Sequence, residues 1–168
     1  MKISLIRHFT KGLAFSVVFA GSLMAPNAAD ARVEFQGGGS VYDFSGCEAY
    51  GWQGTSTVKA RFRPGGLPGN GPNTRMSMFW DTFAMVLRTR GEPLTSSFIE
   101  VDGAGVGSDL NIYSNERQGE NFSQVRITRQ QPNNITASTD VVRLEGIIRH
   151  FDGLRGCTAR FEFLMRQR

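Results

Sequence analysis

CTARFEFLMR, residues 157–166, alternates apolar and polar side chains along its length. One face carries the apolar positions Cys157, Ala159, Phe161, Phe163 and Met165. The other carries Thr158, Arg160, Glu162 and Arg166. This period of two is typical of a strand that is buried on one face only. The stretch therefore predicts a strand with one face in the core.

The preceding residues 141–151 predict its partner strand, and residues 152–156 (DGLRG) predict the hairpin loop between them. Gly146 inside the partner strand indicates a bulge or a close approach of backbone. Further strands are predicted at residues 32–36, 40–44, 58–63, 97–101, 110–114, 122–129 and 135–138. Turn-forming residues 37–39, 102–107 and 132–134 separate them. This spacing predicts an all-β fold, an antiparallel β-sandwich of immunoglobulin-like or jelly-roll type, with a small β-barrel as the alternative.

Residues 75–90 allow two interpretations. Met76, Phe79, Trp80, Phe83 and Leu87 fit one face of a helix, whereas a turn at residues 81–82 splits the same segment into two strands. We favour strands at 75–80 and 83–90, because the second half alternates and the rest of the chain is β. The glycine- and proline-rich residues 64–73 (PGGLPGNGPN) predict an exposed loop.

Residues 1–31 have the layout of a secretory signal peptide: a basic start, an apolar run at 12–24 and the small-residue end Ala29-Asp30-Ala31. The apolar run is shorter than the roughly 20 residues that span a bilayer. We expect cleavage after Ala31, no transmembrane segment after signal removal, and a periplasmic or secreted bacterial protein. Residues 32–168 have the usual length of one domain, here a single all-β domain.

Cys47 and Cys157 are the only cysteines in the chain. In an exported protein, a pair without neighbouring histidines predicts a disulfide. The CxxC spacing of a redox-active pair is absent. The sequence therefore predicts a structural bridge between the early and late strands.

Arginine dominates the basic side chains of residues 32–168. The signal peptide holds three of the 19 basic residues and one of the 15 acidic ones, so its removal lowers the formal net charge from +4 to +2. Lys59 is then the only lysine beside 15 arginines. Guanidinium groups suit phosphate, sulfate and carboxylate, which would indicate anion or polysaccharide recognition. Biased codon usage is the plainer explanation, and the small net charge argues against nucleic acid.

No catalytic or metal-binding motif outweighs its structural alternative. His150 is the single histidine after the signal peptide, and a GxSxG elbow is lacking. Glu100, Asp102 and Asp109 surround a glycine-rich segment that could offer oxygen ligands to calcium, but their spacing matches no known calcium loop. We predict no catalytic residues, no cofactor and no metal.

The aromatic residues Tyr42, Tyr50, Trp52 and Trp80 could stack on sugar rings, although rings beside a disulfide more often pack in the core. The leading hypothesis is an exported, non-catalytic binding module for an unknown envelope protein or glycan. The alternatives are an inhibitor of a cell-wall hydrolase that uses the loop at 64–73, or a structural subunit.

Overall fold

The computed structural model describes residues 32–91, 93–107, 112–114 and 123–168; side chains are not described at 102–107 and 112–114. This part of the chain contains nine strands and two short 3-10 helices, Glu48–Tyr50 and Phe151–Gly153. The strands are β1 (Phe35–Ser45), β2 (Thr55–Arg63), β3 (Arg75–Phe79), β4 (Phe83–Arg88), β5 (Ile99–Gly107), β6 (Ile112–Ser114), β7 (Ser123–Gln131), β8 (Val141–Arg149) and β9 (Thr158–Gln167).

All strand pairings are antiparallel, so the predicted all-β class is confirmed. The order β4-β3-β2-β1-β9-β8-β7-β5-β6 has an additional pairing between β4 and β5. Eight strands therefore follow one another in a nearly closed, barrel-like ring, and β6 pairs with β5 beside it. The shortest pairing in the ring is that of β5 with β7, which involves only Ile99 to Val101 of β5.

Alternate residues of the strands point into the ring and form its core. On β9 the predicted apolar face is confirmed, since Ala159, Phe161 and Phe163 are fully buried. The rings of Phe161 and Phe163 stack with centroids 4.9 Å apart. Opposite them on β8 and β1, the inward positions include Leu144 and Val41, which are also fully buried.

The turn predicted at residues 37–39 is wrong, because these glycines lie in the middle of β1. Gly38 pairs with Lys59 on β2 and with Leu164 on β9. A Cβ atom at Gly38 would lie 2.7 Å from the Val58 carbonyl oxygen, and Cβ atoms at Gly37 and Gly39 would lie even closer to the carbonyl oxygens of Leu164 and Glu162 on β9. The glycines therefore allow neighbouring strands to approach closely, and they do not form a turn.

Gly146 confirms the predicted close approach of backbone, and a bulge lies opposite it on β7. The register of β7 against β8 shifts between Ile127 and Arg129, at the point where Ile127 pairs with Gly146. A Cβ atom at Gly146 would lie 2.5 Å from the ring of Phe161. The missing side chain therefore makes room for an aromatic ring inside the sheet.

Residues 75–90 form two strands, as favoured, and the helical alternative is wrong. The backbone N–H of Trp80 donates to the carbonyl of Phe83 over 2.7 Å and closes the turn between β3 and β4. The predicted loop at residues 64–73 does lie between strands, β2 and β3.

Two further predictions fail. The glycine-rich residues 102–107 continue β5 as a strand instead of forming a turn, because they pair with β4. Residues 135–138 are not a strand. There the Thr136 N–H donates to the hydroxyl of Thr139 over 2.9 Å, and the Ser138 N–H donates to the hydroxyl of Thr136 over 3.3 Å. These side chains replace a strand partner with local turn bonds.

The predicted signal peptide lies outside the described residues. Among the residues that are described, no helix is long and apolar enough to cross a membrane.

Candidate functional site: the basic face of strands β2 to β4

One end of the ring is closed by a group of packed aromatic side chains, here called the aromatic cap. Its members are Phe44, Trp52, Trp80, Phe83 and Phe151. Trp52 lies in the middle, with its ring centroid 5.4 Å from that of Trp80 and 5.1 Å from that of Phe151. Trp52 and Trp80 thus pack as the plainer interpretation predicted, while Tyr50 is 56% exposed.

Cys47 and Cys157 lie at the same end, and both are buried. Their sulfur atoms are 2.06 Å apart, the distance of a disulfide bond. The bridge joins the segment after β1 to the start of β9, as the sequence predicted. A disulfide is compatible with an exported protein.

His150 shapes the loop between β8 and β9. Its backbone is left-handed, with φ of 51°. Its Nδ1 atom accepts a hydrogen bond from the Gly156 N–H over 3.3 Å, and its carbonyl accepts one from the Ser123 hydroxyl over 2.9 Å. The first bond lies within the loop, and the second attaches the loop to β7.

Asp152 in the same loop also has a left-handed backbone, with φ of 55°. Burial raises the pKa of its carboxyl group above the ordinary value, and a hydrogen bond from Trp52 opposes this rise. The charged form of Asp152 is therefore disfavoured by the aromatic cap around it.

The residues considered for calcium do not form a described cluster. Glu100 and Asp102 belong to β5, and Asp109 lies outside the described residues. In the described part of the chain, no group of three or more histidine, cysteine, aspartate or glutamate residues could hold a metal ion.

A group of five basic residues lies on the outer surface of β2, β3 and β4, here called the basic face. It comprises Lys59, Arg61, Arg63, Arg75 and Arg88. Arg63 is the direct register partner of Arg75, and Arg75 is the direct partner of Arg88. Three arginines thus lie in one row across three neighbouring strands. Like charges directly opposite each other destabilise a sheet, so this row lowers the stability of the fold unless other groups offset its charge.

Glu34 compensates one end of the row. It forms an ion pair with Arg63 and lies 4.0 Å from the guanidinium of Arg61. Burial alone would raise the pKa of Glu34, but hydrogen bonds from Gln36 and Arg63 and the two arginine charges outweigh it. The pKa of Glu34 is therefore below its ordinary value, and this carboxylate stays ionised.

Arg75 in the centre of the row is not compensated in this way. Among the described ion pairs, none involves Arg75 or Arg88. Partial burial, followed by the positive charges of Arg63 and Arg88, lowers the pKa of Arg75 from its ordinary value, and the negative charge of Glu34 opposes this only in part. The next residue of the row is Asp102 on β5, whose side chain is outside the described part. The centre of the basic face is thus a site of excess positive charge.

A shallow groove of about 1050 Å³ runs along the same surface towards β1. Lys59 and its register partner Phe79 line it, and Gly37 of β1 borders it without contributing a side chain. Arg61 lies over the ring of Phe79, with its guanidinium carbon 5.3 Å from the ring centroid. The polar wall is completed by Gln36, Thr57 and Asp81. The groove therefore combines two cations, one carboxylate, neutral hydrogen-bonding groups and the aromatic residues Phe79 and Trp80.

The loop at residues 64–73 joins β2 to β3 at the end of the basic face. The side-chain amide of Asn70 donates to the carbonyls of Val33 and Pro64 over 2.7 and 2.8 Å. The Gly66 N–H donates to the Gly71 carbonyl over 2.7 Å. The loop is thus held in one shape, with Pro68 and Gly69 exposed.

Comparison with family models, curated proteins and solved structures found no match to this chain. The abundance of arginine was visible in the sequence, but the basic face was not predicted. Its residues come together only through the registers of β2, β3 and β4.

Proposed function

We propose that the chain is an exported, non-catalytic binding module of the bacterial envelope, and that its basic face binds an anionic glycan. The row of Arg63, Arg75 and Arg88 carries this proposal. A carboxylate or phosphate group lying over the row would offset the repulsion between the arginines. The guanidinium fork forms paired, charge-assisted hydrogen bonds with such groups.

The extent of the basic face favours a polymer over a single small anion. Neighbouring strands lie about 4.8 Å apart, so a row over three strands extends over roughly 10 Å. Lys59 and Arg61 continue the positive charge into the groove. The ring of Phe79 could support a sugar face there, while Thr57 and Gln36 offer hydrogen bonds to hydroxyl groups. An extended chain with regularly spaced acidic groups matches this arrangement.

We infer that the barrel-like ring is a small β-barrel, not a sandwich. The pairing of β4 with β5 joins the first strand of the order to the last but one, and a sandwich of two separate sheets would not need it. Such a scaffold would present the basic face on a rigid surface.

Calorimetric titration of residues 32–168 with polygalacturonate, heparin and neutral dextran tests the proposed function. We expect binding of at least one polyanion, no binding of dextran, and affinity that falls steeply as salt increases. Arg75→Gln should weaken the binding about tenfold or more, since a hydrogen bond to a charged group contributes about 1.5–3 kcal/mol.

Arg160→Gln is the matched control. Arg160 is an arginine on the outer surface of β9, away from the basic face, and lies 3.7 Å from Asp43. Equal loss of affinity in both variants would show that only net charge matters. Absence of polyanion binding by the native chain would refute the proposal.

A second candidate, inhibition of a cell-wall hydrolase, is favoured by the ordered loop at residues 64–73. Glycoside hydrolases carry paired carboxylates in their clefts, and a rigid loop beside Arg63 and Arg75 could enter such a cleft. Asn70→Ala would remove the two side-chain hydrogen bonds that Asn70 donates within and beside the loop, so inhibition of lysozyme should weaken. If the native chain leaves lysozymes of several classes fully active, this candidate fails.

A further inference from the structure

Two arginines share the ring of Phe98 on another side of the barrel-like ring. The guanidinium carbon of Arg149 lies 3.8 Å from the ring centroid, and that of Arg126 lies 4.8 Å from it. Arg126 is on β7 and Arg149 is on β8, whereas Phe98 directly precedes β5. This group is therefore separate from the basic face of β2 to β4.

The strand registers explain why these three side chains meet. Gln124 pairs with Arg149, and Arg126 pairs with Ile147, so the two arginines are diagonal neighbours on the outer surface. Ile99 pairs with Val125, which puts the preceding Phe98 beside Arg126. Phe98 lies at the seam where β5 and β7 pair over three residues only.

The charges of this group are poorly compensated within the described residues. The Nε atom of Arg126 is buried and has no hydrogen-bond partner. Glu100 lies on the same surface, beyond Gln124, but forms no ion pair with either arginine. A buried donor without a partner is costly, particularly on a charged group.

Three of the four other arginines of β7 to β9 are arranged differently; the fourth, Arg166, has no described ion pair. Arg129, Arg143 and Arg160 each lie within 4 Å of a carboxylate oxygen. Cation–π contact with Phe98 holds the guanidinium groups of Arg126 and Arg149, but it leaves the buried Nε–H of Arg126 without an acceptor. A hydrogen-bond acceptor that carries negative charge would therefore complete the group formed by Arg126, Arg149 and Phe98.

We propose that Arg126 and Arg149 bind one small oxyanion, a carboxylate or a phosphate group, beside the ring of Phe98. The ring restricts both guanidinium groups in advance, which reduces the entropy lost on binding. The anion accepts a hydrogen bond from the buried Nε–H of Arg126. Arg149, which is exposed, binds the same anion on its solvent side. This second anion site does not depend on the proposed function of the basic face.

Nitrogen-15 NMR of the arginine Nε–H groups tests the site, with inorganic phosphate and acetate added at constant ionic strength. We expect saturable shifts of the Arg126 and Arg149 signals with at least one anion, and only small, unsaturated shifts of Arg160. The anion that saturates at the lower concentration identifies the preferred group. Equal, unsaturated shifts at all three arginines would show general screening and overturn the proposal.

Arg149→Gln should abolish the saturable response of Arg126, while Arg75→Gln on the basic face should leave it unchanged. Arg149→Lys keeps the positive charge and serves if the glutamine variant folds poorly; it should weaken binding several-fold, because lysine lacks the planar fork. A response of Arg126 that persists unchanged in a folded Arg149 variant would overturn the shared site. It would leave the contact with Phe98 as a purely structural feature of the seam.

Discussion

Replacing Arg75 with glutamine should make the protein more stable, although it removes a residue of the proposed binding surface. Arg75 faces Arg63 on one side and Arg88 on the other. Each pair of like charges directly opposite in a sheet costs roughly 0.2–1 kcal/mol. Glu34 partly offsets Arg63, and solvent screens all three groups, so we expect a net gain of about 0.5–1 kcal/mol.

Thermal unfolding in low and high salt measures this gain. For a domain of this size, about 1 kcal/mol corresponds to a rise of roughly 4 °C in the melting temperature. The rise should appear near 0.01 M salt and shrink towards zero near 1 M, where the screening length falls to about 3 Å. Arg75→Lys should give little or no rise, because it keeps the charge.

Arg160→Gln is again the control, and it should not stabilise the protein because it removes an arginine near Asp43. A melting temperature that falls in Arg75→Gln at low salt would refute the reasoning. It would mean that Arg75 contributes more through its contacts than it loses through repulsion.

Three further predictions concern the fold. Gly39→Ala should destabilise the protein by about 1–3 kcal/mol or prevent folding, because its Cβ atom would overlap the backbone at Glu162; denaturant unfolding measures this. Replacing both Cys47 and Cys157 with alanine should cost about 4–5 kcal/mol, since the bridge closes a loop of 110 residues; an unchanged unfolding midpoint would contradict it. Asp152→Asn should raise the melting temperature at pH 7 but not near pH 3. The pKa of Asp152 is raised in the folded protein, so the native protein loses stability as the pH rises and this carboxyl group ionises. Asparagine also tolerates the left-handed backbone at this position.

The sequence predicted those parts of the fold that depend on local pattern. The alternation in residues 157–166 identified β9, and the single pair of cysteines identified the disulfide. Gly146 indicated a bulge or a close approach of backbone, because a lone glycine in a strand has few other uses. These inferences needed no knowledge of which strands are neighbours.

The glycines at 37–39 show where local pattern is insufficient. Three glycines suit an exposed turn, but they also suit a strand whose neighbours approach too closely for a Cβ atom. Only the pairing of β1 with both β2 and β9 distinguishes the two uses. The same applies to residues 102–107, which pair with β4.

The candidate site could not be located from the sequence alone, for a related reason. Arg63, Arg75 and Arg88 are separated in the chain by a loop and by the turn between β3 and β4. They form one row only because two strand registers align them, and register is set by the whole core. Composition could indicate an affinity for anions, but it could not locate the surface.

The most direct test of the central claim is to map the binding surface of polygalacturonate by NMR. We predict that the largest backbone changes occur in β2 and β3, from Lys59 to Arg63 and from Arg75 to Phe79, and that Arg75→Gln needs about tenfold more polygalacturonate or still more to reach them. Changes centred on other strands, or changes that saturate at the same concentration in that variant, would show that the row of arginines is not the glycan site.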